Sequence, residues 1–195
     1  SNNYSKIKLF VRRVPKINDP KIEIIETDFN NLKNYKEDIK GDDCFFCIGT
    51  TKKNTSDKDE YRRIEYNIPV EIAQIAKLNT VNYFLYVSSG FADPKSSSSY
   101  LRYKGKVEEE LKKLNFPKLG IMRPSILLGS RKENRVMEKI GIFVMKIFSP
   151  LFLGGLKKMK PIHSEKVAKA MLIVAQNDFQ QTIFESNQIV EINKS

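Results

Sequence analysis

The sequence is poor in the residues that build metal centres and disulfide scaffolds. Its 195 residues include only two cysteines and one histidine. Cys44 and Cys47 form a Cys-x-x-Cys pattern, but they lie in an apolar, strand-like run, where residues an odd number of positions apart face opposite sides of a sheet. Without a second cysteine pair, the pattern predicts buried free thiols and no metal site. Free thiols are typical of a reducing compartment, which favours the cytoplasm.

Long hydrophobic runs are also missing. The most apolar segment, 140–145, is cut by Lys146 and Pro150, and no stretch approaches the roughly 20 residues that a membrane-spanning helix needs. The amino-terminal residues contain no apolar signal region, so nothing indicates secretion. We therefore expect a cytoplasmic protein without a transmembrane segment.

The composition is that of a globular protein with a surplus of positive charge. Hydrophobic residues make up 41% of the chain, and the formal net charge is +11. The length suits one domain over residues 1–195, and the charge favours an anionic partner. The lysines are scattered and are not interleaved with aromatic residues, so we expect no nucleic acid as partner. The sequence does not indicate the oligomeric state, so a homodimer is neither predicted nor excluded.

Apolar runs alternate with helix-like runs along the chain. Strands are predicted at 6–13, 21–28, 43–51, 82–90 and 118–129. Helices are predicted at 29–39, 58–78, 96–111, 134–148 and 164–176, and the tail 182–194 is expected to add a short strand. This alternation predicts an α/β fold with an open, doubly wound parallel sheet.

Polar residues gather where the predicted strands end. In doubly wound sheets, ligands bind outside the carboxyl ends of the strands. The residues at these ends are Arg12, Arg13, Asp28, Gly49, Thr50, Thr51, Ser88, Ser89, Arg123, Pro124 and Ser125.

Tyr100 and Lys104 stand four residues apart in the predicted helix 96–111, so their side chains share one helical face. Such a pair can transfer protons. Alternatively, the helix is a solvated surface element in which Lys104 pairs with Glu108 along the helix. The spacing alone leaves both interpretations open.

Five segments together resemble the short-chain dehydrogenase/reductase superfamily, and more closely its atypical, Tat-interacting-protein-like NADPH-binding oxidoreductases. They are "LFVRR", "FFCIGTT", "YVSSGFAD", "SSSSYLRYKGKVEEEL" and "IMRPSILLGSR". The resemblance covers nearly the whole chain and implies a Rossmann-like fold. It also implies an NADP-dependent oxidoreductase that acts on a carbonyl/hydroxyl substrate.

The resemblance assigns the catalytic roles. Tyr100 is implied as the general acid/base, and Lys104 lowers its pKa and holds the nicotinamide ribose. A phenol has a pKa near 10, so a neighbouring ammonium is needed to lower that pKa before the phenol can exchange protons at neutral pH. Ser89 is the first choice for orienting the substrate oxygen, and Ser88 is the second. Tyr103 is expected to pack or to line the pocket.

The resemblance also implies a cofactor-binding set. Arg12 and Arg13 would accommodate a 2′-phosphate, which favours NADP(H) over NAD(H). Asp28 either contacts the adenine together with Phe29 or is only a turn residue. The other implied cofactor contacts are Gly49, Thr50, Thr51, Ser88, Tyr100, Lys104, Pro124 and Ser125.

The sequence departs from the family at its start. Family members begin with a strand and a glycine-rich phosphate loop, and the chain has no such element before 6–13. We expect the missing strand to belong between the strands at 6–13 and 43–48. Two other functions stay open: an NADPH-binding regulator that uses 134–153 as a partner surface, and a nucleotide-sugar epimerase or dehydratase, which the short carboxy-terminal part disfavours.

Overall fold

The computed structural model of the protein describes residues 3–128 and 161–194. Its strands are β1 (Ile7–Val11), β2 (Ile22–Glu26), β3 (Asp43–Phe46), β4 (Tyr83–Val87), β5 (Lys118–Arg123), β6 (Leu127–Leu128), β7 (Ile162–His163) and β8 (Ile183–Glu185). Its helices are α1 (Lys58–Arg62), α2 (Ile68–Leu78), α3 (Ser99–Lys113), α4 (Ser164–Gln176) and α5 (Ser186–Ile192). A short 3₁₀ helix covers Leu32–Tyr35, and a π-helical turn at Arg63–Asn67 joins α1 to α2.

All strand pairings in the described residues are parallel. The main sheet has the order β3-β4-β5-β8, while β1 pairs with β2 and β6 pairs with β7. This arrangement confirms the α/β, Rossmann-like fold class. In the part of the chain that the structure describes, β1 and β3 are not hydrogen-bonded to each other. The Tyr4 hydroxyl donates to Asp43 Oδ2 at 2.6 Å and links the two sheets.

The central strand β4 separates two hydrophobic layers. Phe84 and Tyr86 face one layer with residues of α2 and α3, and Leu85 faces the other with residues of α4 and α5. All three side chains are fully buried. Successive strand residues point to opposite faces, so a strand covered by helices on both sides must be apolar throughout. Each such side chain stabilises the fold by about 1.5–3 kcal/mol.

Two predicted segments differ from the structure in their secondary structure. The predicted helix 29–39 forms only the 3₁₀ helix at Leu32–Tyr35, and Phe29 has a left-handed backbone with φ of 61°, so a right-handed helix cannot include it. The Asn79 side-chain amide donates to the carbonyls of Lys36 and Ile39 beyond the 3₁₀ helix. The tail forms β8 as expected and then adds α5, which a capping box between Glu185 and Gln188 begins. The predicted helix 134–148 and the proposed partner surface 134–153 lie outside the described residues.

The predicted helix 58–78 is interrupted by the π-helical turn. Pro69 has no backbone N–H, so the Glu65 carbonyl loses its helical donor. The Ile68 N–H instead bonds to the Arg63 carbonyl, five residues back. The wider turn changes the rotational register, and Glu65 is buried with only 1% exposure. None of the described helices is long and apolar enough to cross a membrane.

Candidate active site

The Lys104 side chain is buried at the carboxyl end of β4. Its Nζ lies 3.2 Å from Glu65 Oε2 and donates a hydrogen bond of 3.3 Å to the Val87 carbonyl. The same nitrogen is 5.0 Å from the ring centroid of Tyr86 and 5.9 Å from that of Tyr100. Helix α3 therefore brings the predicted Tyr–Lys pair together on the face that meets the sheet.

Lys104 remains charged in this setting. Burial lowers the pKa of the ammonium group, but Tyr86, Glu65 and Tyr100 raise it, and the net pKa lies above its ordinary value. The alternative interpretation of this helix, a surface pair between Lys104 and Glu108, does not agree with the structure. Lys104 is 4% exposed, and the buried Glu108 carboxylate accepts from Ser88 and Arg123 instead.

The segment after β3 lies directly against this ion pair. The Thr50 backbone N–H donates to Glu65 Oε1 at 2.5 Å. A Cβ at Gly49 would lie 3.3 Å from Glu65 Oε1 and 3.9 Å from Lys104 Nζ. Gly49 is exposed, so its bare backbone is open to a ligand that approaches the buried lysine. The Thr50 hydroxyl shares a hydrogen bond of 2.8 Å with Thr55.

The two candidate serines differ in what their hydroxyls contact. The Ser88 side chain is buried and donates to Glu108 Oε1 at 2.5 Å. The Ser89 side chain is half-buried, and its contact is a long 3.3 Å bond to the neighbouring Gly90 carbonyl. A strong bond to a carboxylate occupies the Ser88 hydroxyl, so Ser89 is the better placed to donate to a substrate.

The segment after β5 adjoins the loop 88–98 between β4 and α3, which we call the serine loop. The Gly90 N–H donates to the Pro124 carbonyl at 2.7 Å, and the Ser186 hydroxyl donates to Ser125 Oγ at 3.2 Å. The predicted nicotinamide-flanking residues Pro124 and Ser125 are therefore held next to Ser89.

The predicted adenosine-side residues follow the ends of β1 and β2. Arg12 and Arg13 are exposed. Asp28 accepts bonds from the backbone and side chain of Asn30, and the backbone bond is the main reason why its pKa is lowered. This is the turn role that the sequence left open, and the adenine contact stays a prediction. The Phe29 carbonyl accepts from Arg63 at 3.0 Å.

The π-helical turn connects the adenosine-side residues to the site around Lys104. Arg63 holds the loop at Phe29, and Glu65, two residues later, holds Thr50 and Lys104. The sequence reasoning missed Glu65. The signal that could have found it is Pro69, because a proline inside a helical pattern removes the hydrogen bond to the residue four positions earlier.

The remaining candidates occupy structural positions. Tyr103 packs against the rings of Tyr61 and Tyr66, as a packing residue would. Cys44 and Cys47 are free thiols, but Cys44 is half-buried and Cys47 is exposed, so the prediction that both are buried is wrong. Within residues 3–128 and 161–194, no group of three or more His, Cys, Asp or Glu side chains could hold a metal ion.

Comparison with known proteins finds relatives along the whole chain. The chain is 31% identical to the protein FMP52-1, mitochondrial, of Scheffersomyces stipitis over 207 residues, which covers 100% of this chain and 89% of that protein. It is 34% identical to the protein HTATIP2 of Rattus norvegicus over 140 residues, which covers 69% of this chain and 57% of that protein. No family model matches the chain.

Solved structures share the fold. MoeE5, in complex with UDP-glucuronic acid and NAD, has a TM-score of 0.67 at 15% identity and covers 97% of this chain and 73% of its own. A short-chain dehydrogenase/reductase superfamily protein of Agrobacterium tumefaciens with bound NAD has a TM-score of 0.63 at 14% identity, and covers 91% and 68%. These likenesses, at 14–15% identity, show the Rossmann-like fold.

The predicted cytoplasmic location is wrong. The relatives from Scheffersomyces stipitis and Meyerozyma guilliermondii are both named as mitochondrial proteins. The prediction rested on free thiols, which separate reducing from oxidising surroundings. Thiols do not indicate which reducing compartment holds a protein.

Proposed function

The chain belongs to the atypical short-chain dehydrogenase/reductase family that contains FMP52 and HTATIP2, and from this premise we propose that it is an NADPH-dependent oxidoreductase. Its substrate is a small molecule with a carbonyl/hydroxyl pair. The observation that carries the proposal is the buried Lys104 ammonium, 5.9 Å from the Tyr100 ring at the carboxyl end of β4.

Tyr100 acts as the proton donor in carbonyl reduction. The phenolate that remains after transfer is stabilised by the nearby positive charge of Lys104. Ser89 donates a hydrogen bond to the substrate oxygen and thereby orients it. The bound cofactor supplies the hydride. Each of these side chains comes from the end of β4 or from α3, so one rigid unit positions all three.

The described residues fit a dinucleotide at two places. Gly49 leaves its backbone open beside Lys104, where a Cβ would crowd the ion pair. Arg12 and Arg13 extend from the end of β1 with exposed side chains. Two guanidinium groups at this position favour the 2′-phosphate of NADPH. MoeE5 and the Agrobacterium protein were crystallised with NAD, which supports a nicotinamide dinucleotide in general.

Replacing Tyr100 tests the proposal, and Tyr103 on the same helix provides the matched control. The purified protein is assayed with NADPH and phenanthrenequinone as a generic carbonyl probe, while calorimetric titration measures NADPH and NADH binding. We expect Tyr100→Phe to lower kcat by about a hundredfold or more, the usual contribution of general acid–base catalysis. Tyr103→Phe should retain turnover, and both variants should bind NADPH more tightly than NADH.

Three results would overturn the proposal. Equal turnover by Tyr100→Phe and the unmodified protein would remove Tyr100 from the chemistry. A protein that binds NADPH but turns over nothing would be a cofactor-binding regulator instead, and binding of neither dinucleotide would leave only the likeness of fold.

A further inference from the structure

Glu65 is a buried carboxylate without a role in the reaction described so far. It is 1% exposed and lies in the π-helical turn between α1 and α2. Burying a carboxylate costs several kcal/mol unless it is paired and hydrogen-bonded. π-Helical turns within α-helices frequently occur at functional sites. A costly group on an irregular turn therefore requires an explanation.

The two oxygens of Glu65 hold two different parts of the site. Oε2 is 3.2 Å from the Lys104 ammonium, and Oε1 accepts the Thr50 N–H at 2.5 Å. Thr50 belongs to the predicted cofactor segment, and Lys104 belongs to the proposed proton-transfer pair. One carboxylate thus fixes the distance between these two parts.

We propose that Glu65 is a positioning residue of the reductase site, which holds Lys104 beside Tyr100 and sets the charge that the Tyr–Lys pair experiences. The inference rests on the proposed function. It goes beyond that function because it assigns the electrostatic balance of the site to Glu65, which lies in the π-helical turn and not on β4 or α3.

The charged and titratable groups around Lys104 come from every neighbouring element. They are Glu65 in the π turn, Tyr61 on α1, Cys47 after β3, Tyr86 on β4 and Tyr100 on α3. Glu65 is the only carboxylate among these five groups. Its negative charge therefore opposes proton loss from Lys104 and raises the pKa of that ammonium group.

The test replaces Glu65 by glutamine, which keeps the volume and an oxygen for the Thr50 N–H but removes the charge. Without the negative charge of Glu65, the Lys104 ammonium should lose its proton at lower pH, since Glu65 is one of the groups that raise its pKa. Because the charged ammonium stabilises the phenolate that reduction leaves, the alkaline limb of the kcat–pH profile should move down by about one pH unit or more. The assay again uses NADPH and phenanthrenequinone.

Glu108→Gln provides the matched control. Glu108 is also a buried, ion-paired carboxylate, and it lies on α3 like Lys104, but its partners are Ser88 and Arg123. We expect this variant to lose stability, as measured by urea denaturation, while the midpoint of its alkaline limb stays where it is in the unmodified protein. If Glu65→Gln behaves in the same way, Glu65 has only a structural role and the inference is overturned.

Glu65→Asp decides the case if the glutamine variant does not fold. Aspartate keeps the charge but is one methylene shorter, so it cannot reach both Thr50 and Lys104. We expect a folded protein with the alkaline limb near its original position and kcat lowered about tenfold or more. Full turnover would overturn the inference.

A test that does not depend on turnover is a double-mutant cycle with Glu65→Gln and Lys104→Met, in which the free energy of unfolding is measured. A coupling free energy within error of zero would show that the pair is not formed, and the inference would fall. The proposed function is judged separately by Tyr100→Phe. If that variant loses turnover while Glu65→Gln leaves the pH profile unchanged, the reductase stands and only the role of Glu65 fails.

Discussion

Two adjacent serines at the end of β4 have opposite surroundings. Ser88 points into the protein and donates to Glu108, which also pairs with Arg123. Ser89 is half-buried and has only a long contact to its neighbour. Since neighbouring strand residues face opposite ways, one serine supports the helix–sheet contact, and we propose that the other donates to a substrate.

Alanine substitution should therefore separate stability from turnover. We expect Ser88→Ala to lower the free energy of unfolding by about 1.5–3 kcal/mol, the cost of a buried hydrogen bond to a charged group. Ser89→Ala should cost less than about 0.5 kcal/mol but lower kcat about 10- to 100-fold, because it removes one donor to the reacting oxygen. Urea denaturation and the quinone assay measure the two effects. The reverse pattern would assign the substrate contact to Ser88.

The sequence predicted individual site residues unevenly. Regular helix and strand geometry placed Tyr100 and Lys104 on one helical face and the serines at a strand end, but only the family resemblance implied catalytic roles, and those roles stay a prediction. The sequence did not indicate Glu65 as a site residue, because its burial depends on the π-helical turn that Pro69 induces. A charged residue within a helical pattern normally indicates a solvated face, and only the register change reverses that indication.

At the scale of elements, α3 crosses the serine loop at Gly105. A Cβ at this position would lie 2.8 Å from Asp93 Cα and closer still to the Asp93–Pro94 peptide. The helix can approach the loop only because residue 105 has no side chain. This approach also sets the height of Tyr100 and Lys104 over the end of β4, since all three residues belong to the same helix.

Gly105→Ala should destabilise the protein although alanine is the better helix former. The propensity gain is about 1 kcal/mol, whereas overpacking against backbone costs about 1–3 kcal/mol. We expect a lower urea midpoint and reduced turnover, because the loop that carries Ser89 must shift. The exposed neighbour Lys106 supplies the control: Lys106→Ala should stay within about 0.5 kcal/mol. A Gly105→Ala protein as stable as the original would show that the loop yields freely.

The elements themselves were largely predictable. The buried strands β3, β4 and β5 are nearly continuous apolar runs, and such runs are typical of parallel strands covered on both faces. The sequence did not indicate the 3₁₀ helix at Leu32–Tyr35 or the helix α5. The left-handed backbone of Phe29 and the capping box between Glu185 and Gln188 belong to these segments, and neither feature follows from the apolar pattern. The prediction of a single domain over 1–195 stays a prediction.

At the scale of the whole molecule, tyrosine hydroxyls are spread through the buried layers. Tyr61, Tyr83 and Tyr86 are each at most 5% exposed. Burial is the main cause that raises the pKa of each phenol to about 12, against an ordinary value near 10. The neutral phenol is therefore the form that the folded protein prefers, and the unfolded chain releases these protons earlier.

This difference predicts alkaline unfolding. Above about pH 10 the unfolded state binds fewer protons than the folded state, so the stability that the neutral phenols contribute is complete below about pH 10 and is lost as the pH rises towards 12. Tyrosinate absorbance and circular dichroism, followed together, measure it. We expect part of the signal from the eight tyrosines to appear only as helical structure is lost, whereas all should titrate near pH 10 in denaturant. If every tyrosine ionised near pH 10 with the helices intact, water would reach the layers on both sides of β4, and the buried environment argued for Lys104 would be wrong as well.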